Sequence, residues 1–167
     1  MSKDQDARYA DAGAALQRIA RAYEADPERR RDLLQDMHVT LWKSFAAFDG
    51  RCSVRTWVYR VASNVAASHV ARERRDRLQL VKLDTIEHLP DEDDVGERVA
   101  EEAALSRLTA LVHRLKAPDR QVMTLYLEGL SADSIAEVTG LSPGAIATRI
   151  SRLKVLLTRL FHEAANV

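Results

Sequence analysis

A chain of 167 residues, 46% hydrophobic and 30% charged, has room for one ordinary domain or two small ones. Six Gly and four Pro are too few for a loop-rich β-sandwich, and the single cysteine, Cys52, excludes an internal disulfide framework. No stretch reaches the ~20 apolar residues of a membrane span, and the polar, acidic residues 1–8 do not read as a secretory signal, so a soluble, helical protein of the reducing cytoplasm is expected, with no membrane insertion.

A formal net charge of zero conceals an uneven distribution. Residues 1–81 carry 15 Lys and Arg against 11 Asp and Glu, residues 82–104 carry 2 against 9, and residues 105–167 carry 8 against 5. Two basic blocks flank an acidic one, an arrangement that suits either a polyanionic partner or three solvated surfaces.

In chain order, Ala15, Leu16, Ile19, Ala20 and Tyr23 recur at helical spacing and predict a helix over 11–24, stopped by Asp26-Pro27. A second helix is predicted over 28–48, with Leu34, Met37, Leu41, Phe45 and Phe48 on one face and Asp49-Gly50 ending it. Ser53 is placed to cap a third helix to about 75, with Trp57, Val58, Val61, Val65 and Ala66 inward. Residues 82–102 crowd Asp84, Glu87, Asp91, Glu92, Asp93, Asp94 and Glu97 around Pro90 and Gly96. That composition buries too little surface to offset ordering entropy and predicts a flexible tether, with helix resuming near Arg98.

Four helical segments follow: 105–115, 119–127 with Pro118 in its first turn, 131–139 capped by Ser131, and 142–161 opened by Ser142-Pro143. The fold class is therefore all-α. Two small helical domains, 1–81 and 105–167, are joined by the acidic linker 82–104. With six residues after Phe161, no C-terminal regulatory extension is expected.

Residues 131–153 carry the sharpest local signal. A short helix, a turn holding Gly140 and a capped second helix make a helix-turn-helix, with Ala136 small where the helices meet and Gly140 free to take positive φ. Ile135, Val138, Leu141, Ile146, Ile150 and Leu153 are the expected core. Ala145, Thr148, Arg149, Arg152 and Lys154 remain for an open face suited to the major groove, or for the solvated face of a plain hairpin.

A second signal, FAAFDGRCSVRTWVYRVASN over 45–64, interleaves aromatics with Arg51, Arg55 and Arg60, as single-stranded nucleic acid requires: bases stack on rings and cations follow the backbone. Phe45, Phe48, Val58 and Val61 are assigned to the core, while Trp57, Tyr59 and Asn64 fit core or base contact equally. Asp32, Gln35 and Asp36 share an exposed face one to two turns before Trp42-Lys43, which suits a partner surface or simply the helix dipole. His38, His69, His88, His113 and His162 are scattered, and no metal-ligand spacing, phosphate loop or nucleophile elbow occurs, so no cofactor and no catalytic role are expected. Cys52, between Arg51 and Arg55, reads as an exposed thiol.

Together these features resemble the extracytoplasmic-function (ECF) sigma factors of bacterial RNA polymerase. DLLQDMHVTLWKSFAAFDGRCSVRTWVYRVASNVA (32–66) is similar to the family's first conserved domain. The stretch 117–160, including APDRQVMTLYLEGLSADSIAEVTGLSPGAIATRISRLKVLL, is similar to its second, and the two blocks stand in the family's order about 50 residues apart.

The resemblance implies that Asp32, Gln35, Asp36 and Trp42 dock on the clamp coiled coil of the polymerase largest subunit. It implies that Asp49, Gly50, Arg51 and Ser53 form the loop that captures a flipped minus-ten base, with Arg55, Trp57, Arg60 and Asn64 along the melted strand. Thr148, Arg149, Arg152 and Lys154 would read minus-thirty-five DNA, and the linker would thread the polymerase channels. Core RNA polymerase, promoter DNA and an anti-sigma factor are the implied partners.

The chain departs from the family pattern at Ser63, Ser68 and Ala71, where Arg, Asp and a basic pair are common, and at Ala147, where a basic residue is common. Gly144 costs the last helix ~1 kcal/mol relative to Ala. Against the sigma reading stand an autonomous helix-turn-helix regulator, which binds duplex DNA without polymerase, and a helical adaptor, which binds none. The acidic tether has three readings: it covers the basic faces in the free protein, it occupies the channel that RNA later fills, or self-repulsion keeps it extended.

Overall fold

The computed structural model describes residues 3–80 and 100–165, and among these there are seven α-helices and no strand. Helix α1 (Lys3–Tyr23) begins about two turns before the predicted start. It buries Leu16, Ile19, Ala20 and Tyr23 against α2 (Pro27–Ser44) and α3 (Val54–Leu80). Asp26 starts α2 by accepting from the backbone N–H groups of Glu28 and Arg29, both at 2.9 Å, with Pro27 in the first turn where its missing donor costs nothing.

The predicted end of α2 at Phe48 divides in two: the helix stops at Ser44 and a single 3-10 turn, Phe45–Ala47, completes it. Ser44 Oγ donates to the Leu41 carbonyl at 2.7 Å, one local bond that competes with continuation of the helix. Gly50 at φ +78° then reverses the chain. Ser53 caps α3 as expected, its Oγ accepting from the Thr56 N–H at 3.0 Å. On α2 the buried stripe is Leu33, Met37 and Leu41, with Leu34, Phe45 and Phe48 half-buried around it.

The second half contains α4 (Ala100–His113), α5 (Ala117–Leu127), α6 (Ala132–Thr139) and α7 (Pro143–Ala165). The flexible tether expected over 82–102 lies outside the described residues up to 99, and the helix expected to resume near Arg98 is present from Ala100 as α4, which takes in the last residues, 100–104, of the linker 82–104. Ser131 caps α6, accepting from the Ser134 N–H at 3.2 Å, and Gly140 closes that helix at φ +78°. Ile135, Val138, Ile146 and Leu153 are buried and Ile150 is half-buried. Leu141 is exposed instead of core, because it directly follows the left-handed glycine and leaves the turn on its outer side.

The two halves do not stand apart. A continuous apolar cluster runs from Leu16, Ile19 and Met37 through Val58 and Ala62 to Val122, Leu125, Leu130, Ile135 and Ile146. Helix α6 packs on α3, and α4 and α5 pack on α1. A smaller cluster, Leu111, Val112, Leu115, Met123, Leu153 and Leu157, serves the second half alone. Packing the halves together removes further apolar surface from water, at ~25 cal/mol per Å².

Candidate nucleic-acid interface

Three groups of side chains predicted from the sequence occupy three places on this scaffold. On α2, Asp32, Gln35 and Asp36 are exposed, and Trp42 follows with half its surface open, 52%, beside the exposed Val39. Tyr9 packs edge-on against Trp42 at 6.1 Å between ring centroids and holds the indole at one angle. A large apolar ring is thus left half in water on the same helix as these carboxylates.

The second group surrounds the α2–α3 connection. Asp49 accepts from the Arg51 N–H at 3.1 Å and pairs with its guanidinium at 2.9 Å, so the loop is folded on itself with Gly50 at its apex. Arg51, Ser53, Arg55 and Asn64 are exposed, while Trp57 and Arg60 are half-buried. The Trp57 indole N–H donates to Ser44 Oγ at 3.0 Å, its ring meets Phe48 at 5.4 Å, and the Arg60 guanidinium lies 5.9 Å from the same ring. One face of Trp57 is thus fixed by the core, and a cation stands beside the ring. Tyr59 resolves differently: it is buried, and its hydroxyl donates to Glu128 Oε2 of the other half at 2.7 Å. Burial, then the bond to that carboxylate, pushes the phenol's pKa up.

The third group lies on α7. Ala145 N–H donates to Ser142 Oγ at 3.2 Å, closing the cap predicted for this helix. Thr148 and Arg152 are exposed and Arg149 is half-buried. Asp119, in the first turn of α5, accepts from Arg149 Nη1 at 2.9 Å and from Arg152 Nη2 at 3.5 Å, so one carboxylate gathers both arginines. Lys154 falls elsewhere. At 100° per residue it sits about 140° round the helix from Arg149, and its ammonium is 5.7 Å from the Tyr126 ring. The structure therefore brings Thr148, Arg149 and Arg152 together and leaves Lys154 on the flank.

Sequence reasoning did not single out Asp119, Arg18 or Glu128. Each acts across a long chain separation, and no local spacing marks it. No group of three or more metal-ligating side chains occurs among the described residues, nor any helix long and apolar enough to cross a membrane.

A helix-turn-helix with its second helix exposed lies in the same chain as a basic, aromatic face on α3. Residues 9–76 match the Sigma-70 region 2 family and residues 105–157 match the family "Sigma-70, region 4". The RNA polymerase sigma-H factor of Pseudomonas aeruginosa is 30% identical over 137 residues, covering 77% of this chain and 71% of that protein. CnrH, an RNA polymerase sigma factor of Cupriavidus metallidurans, is 29% identical over 156 residues, covering 89% and 81%.

Among solved structures, the sigma factor RpoE of Bartonella quintana, in complex with the anti-sigma factor NepR, shares the fold at a TM-score of 0.75. It is 22% identical, over 96% of this chain and 98% of that one. CnrH in complex with the cytosolic domain of CnrY gives a TM-score of 0.63 at 26% identity, over 92% and 84%. The chain belongs to the ECF sigma factors of RNA polymerase: it is a specificity subunit that directs core polymerase to promoters.

Proposed function

We propose that this sigma factor divides promoter recognition among the three groups described above. The domains are residues 1–81 and 105–167, with 82–104 as the connecting linker. Asp32, Gln35, Asp36 and Trp42 dock on polymerase. Asp49, Gly50, Arg51 and Ser53 receive a flipped minus-ten base, and Arg55, Trp57, Arg60 and Asn64 follow the melted strand. Thr148, Arg149 and Arg152 face duplex minus-thirty-five DNA, with Lys154 reaching a phosphate at the flank. The observation that carries this reading is the pairing, on one chain, of a half-open Trp57 flanked by Arg60 with an exposed recognition helix.

Chemistry follows from the placement. Duplex DNA is held by direct readout from α7. Bases that leave the stack are retained around Trp57 and the 49–53 loop, so the duplex-to-open equilibrium shifts by the difference in affinity for the open strand. Holding both domains on polymerase makes the second contact intramolecular and raises avidity without new contacts. No step requires bond chemistry by this chain, which acts in the cytoplasm as a non-enzymatic subunit. An anti-sigma factor is a further partner: RpoE of Bartonella quintana is bound to one in its structure. The exposed Trp42, Leu78, Leu105 and Val155 offer apolar surface for it.

Co-purification with core RNA polymerase, followed by run-off transcription from genomic promoters, tests the reading. Promoter-dependent transcripts that require the chain are expected. Tight duplex binding without polymerase would favour an autonomous regulator instead.

A further inference from the structure

Where the two halves meet, α3 and α1 present a strip of donors: Arg18, Arg55, Tyr59 and Arg60. All four are engaged by the second half. Glu128 inserts a carboxylate whose side chain is only 8% exposed; Oε1 accepts from Arg18 Nε at 2.8 Å, and Oε2 from Arg18 Nη2 at 2.8 Å and Tyr59 Oη at 2.7 Å. Arg55 Nη2 donates to the Glu128 carbonyl at 2.6 Å, and Arg60 Nη2 to the Glu137 carbonyl at 3.1 Å. Those carbonyls lie at the C-terminal ends of α5 and α6, where helices leave acceptors without partners and the dipole is negative. The strip thus meets one full negative charge and two negative helix ends.

A carboxylate receiving a forked guanidinium and a phenol hydroxyl is chemically the stand-in for a phosphodiester, which offers the same acceptor oxygens and charge. Next to Arg18, Arg55 and Tyr59 is a cavity of about 360 Å³, walled by Ala12, Ala15, Val54 and Val58. Arg55 and Arg60 already belong to the face assigned to the melted strand, and Arg18 and Tyr59 extend it. We propose that Arg18, Tyr59 and Arg55 form a cradle for a backbone phosphate of unpaired promoter DNA, which Glu128 occupies while the two halves are packed together. The α5–α6 turn is then a built-in competitor of DNA: strand and turn cannot hold the same donors. This inference rests on the minus-ten reading of α3 and adds to it two residues, a ligand class and a regulatory consequence.

The test compares the full chain, Glu128→Gln and the double variant Arg18→Ala/Glu128→Gln for binding a fluorescein-labelled single-stranded DNA oligonucleotide of random sequence. Gln keeps the shape and hydrogen-bonding reach of Glu but not its charge. Affinity scales with the fraction of open protein, so Glu128→Gln is expected to bind about tenfold more tightly. The double variant is expected to lose that gain, with a log–log salt slope smaller by ~0.7, the value of one phosphate on a single strand. Tyr59→Phe, which keeps the packed ring, is expected to weaken binding in the Glu128→Gln background.

An affinity unchanged by Glu128→Gln overturns the competition. A gain that survives Arg18→Ala with the same salt slope overturns the cradle. Transcription by core polymerase with the unmodified chain is scored separately. A chain that initiates but fails these binding tests keeps its sigma role and loses the cradle, whereas one that does not initiate loses the minus-ten reading itself.

Discussion

Asp119 determines how two arginines of the recognition helix are presented. With Arg149 tied at 2.9 Å and Arg152 only at 3.5 Å with 67% of its side chain exposed, the first is aimed and the second is loose. An aimed guanidinium reads a base edge, and a loose one follows the backbone. Arg149→Ala is therefore expected to cost ~1–3 kcal/mol of holoenzyme binding and to relax preference at one base pair. Arg152→Ala should weaken all sequences alike and flatten the salt dependence. Binding to a set of single-base promoter variants separates the two, and equal sequence-independent losses would put Arg149 on the backbone as well.

Glu24 shows the same scale of control in the core. Burial raises its proton affinity, but the His69 ring at 2.9 Å, the Asp26 N–H and Arg29 outweigh burial and hold the carboxyl below its ordinary 4.5. A folded value below the unfolded one stabilises the protein fully above pH ~4.5 and loses that contribution as pH falls through the folded value. Urea unfolding followed down to about pH 3 should show a shallower acid loss for Glu24→Gln than for the unmodified chain.

At the scale of the element, two glycines with open space around them have opposite roles. A Cβ at either Gly140 or Gly144 meets nothing within 4 Å, so packing does not decide the outcome. Gly140 sits at φ +78°, closing α6, and Gly140→Ala is expected to cost ~1–2 kcal/mol because an L side chain there crowds its own carbonyl. Gly144 lies in the first turn of α7, and Gly144→Ala is expected to stabilise by ~0.5–1 kcal/mol through lost unfolded-state freedom. Ser131→Ala removes the cap of α6 at ~1 kcal/mol. Denaturant midpoints of the three variants check the signs, and a stabilising Gly140→Ala would contradict the turn geometry.

For the whole molecule, the contact between halves is the quantity to measure. His113 of α4 holds its Nε2 2.7 Å from the Arg21 carbonyl of α1, and as the neutral ring it donates there. Burial is the main cause that pushes its pKa below the usual 6.5, with Arg120 acting in the same direction and the Arg21 carbonyl opposing. Because the packed form disfavours the charged ring, its advantage is complete above pH ~6.5 and declines as pH falls through the lower packed-state value. The radius of gyration from solution X-ray scattering should therefore grow between neutral and mildly acidic pH. His113→Gln, which stays neutral, should show less of that growth.

What the sequence determined by itself was local. Caps at Ser53, Ser131 and Ser142, breakers at Pro27 and Gly50, helical spacing from Ala15 to Tyr23 and the helix-turn-helix around Gly140 are all set by residues within a turn or two of each other. Covalent proximity makes those interactions readable. The exposed α2 carboxylates and Trp42 were legible for the same reason, since the face opposite an apolar stripe remains in water.

Tertiary structure alone decided that Leu33 rather than Leu34 fills the α2 core and that Asp119 gathers Arg149 and Arg152. It also joined Glu128 to Arg18 and Tyr59, across 110 and 69 residues. Such pairs depend on how two amphipathic layers settle against each other to exclude water, and no spacing along the chain encodes that choice.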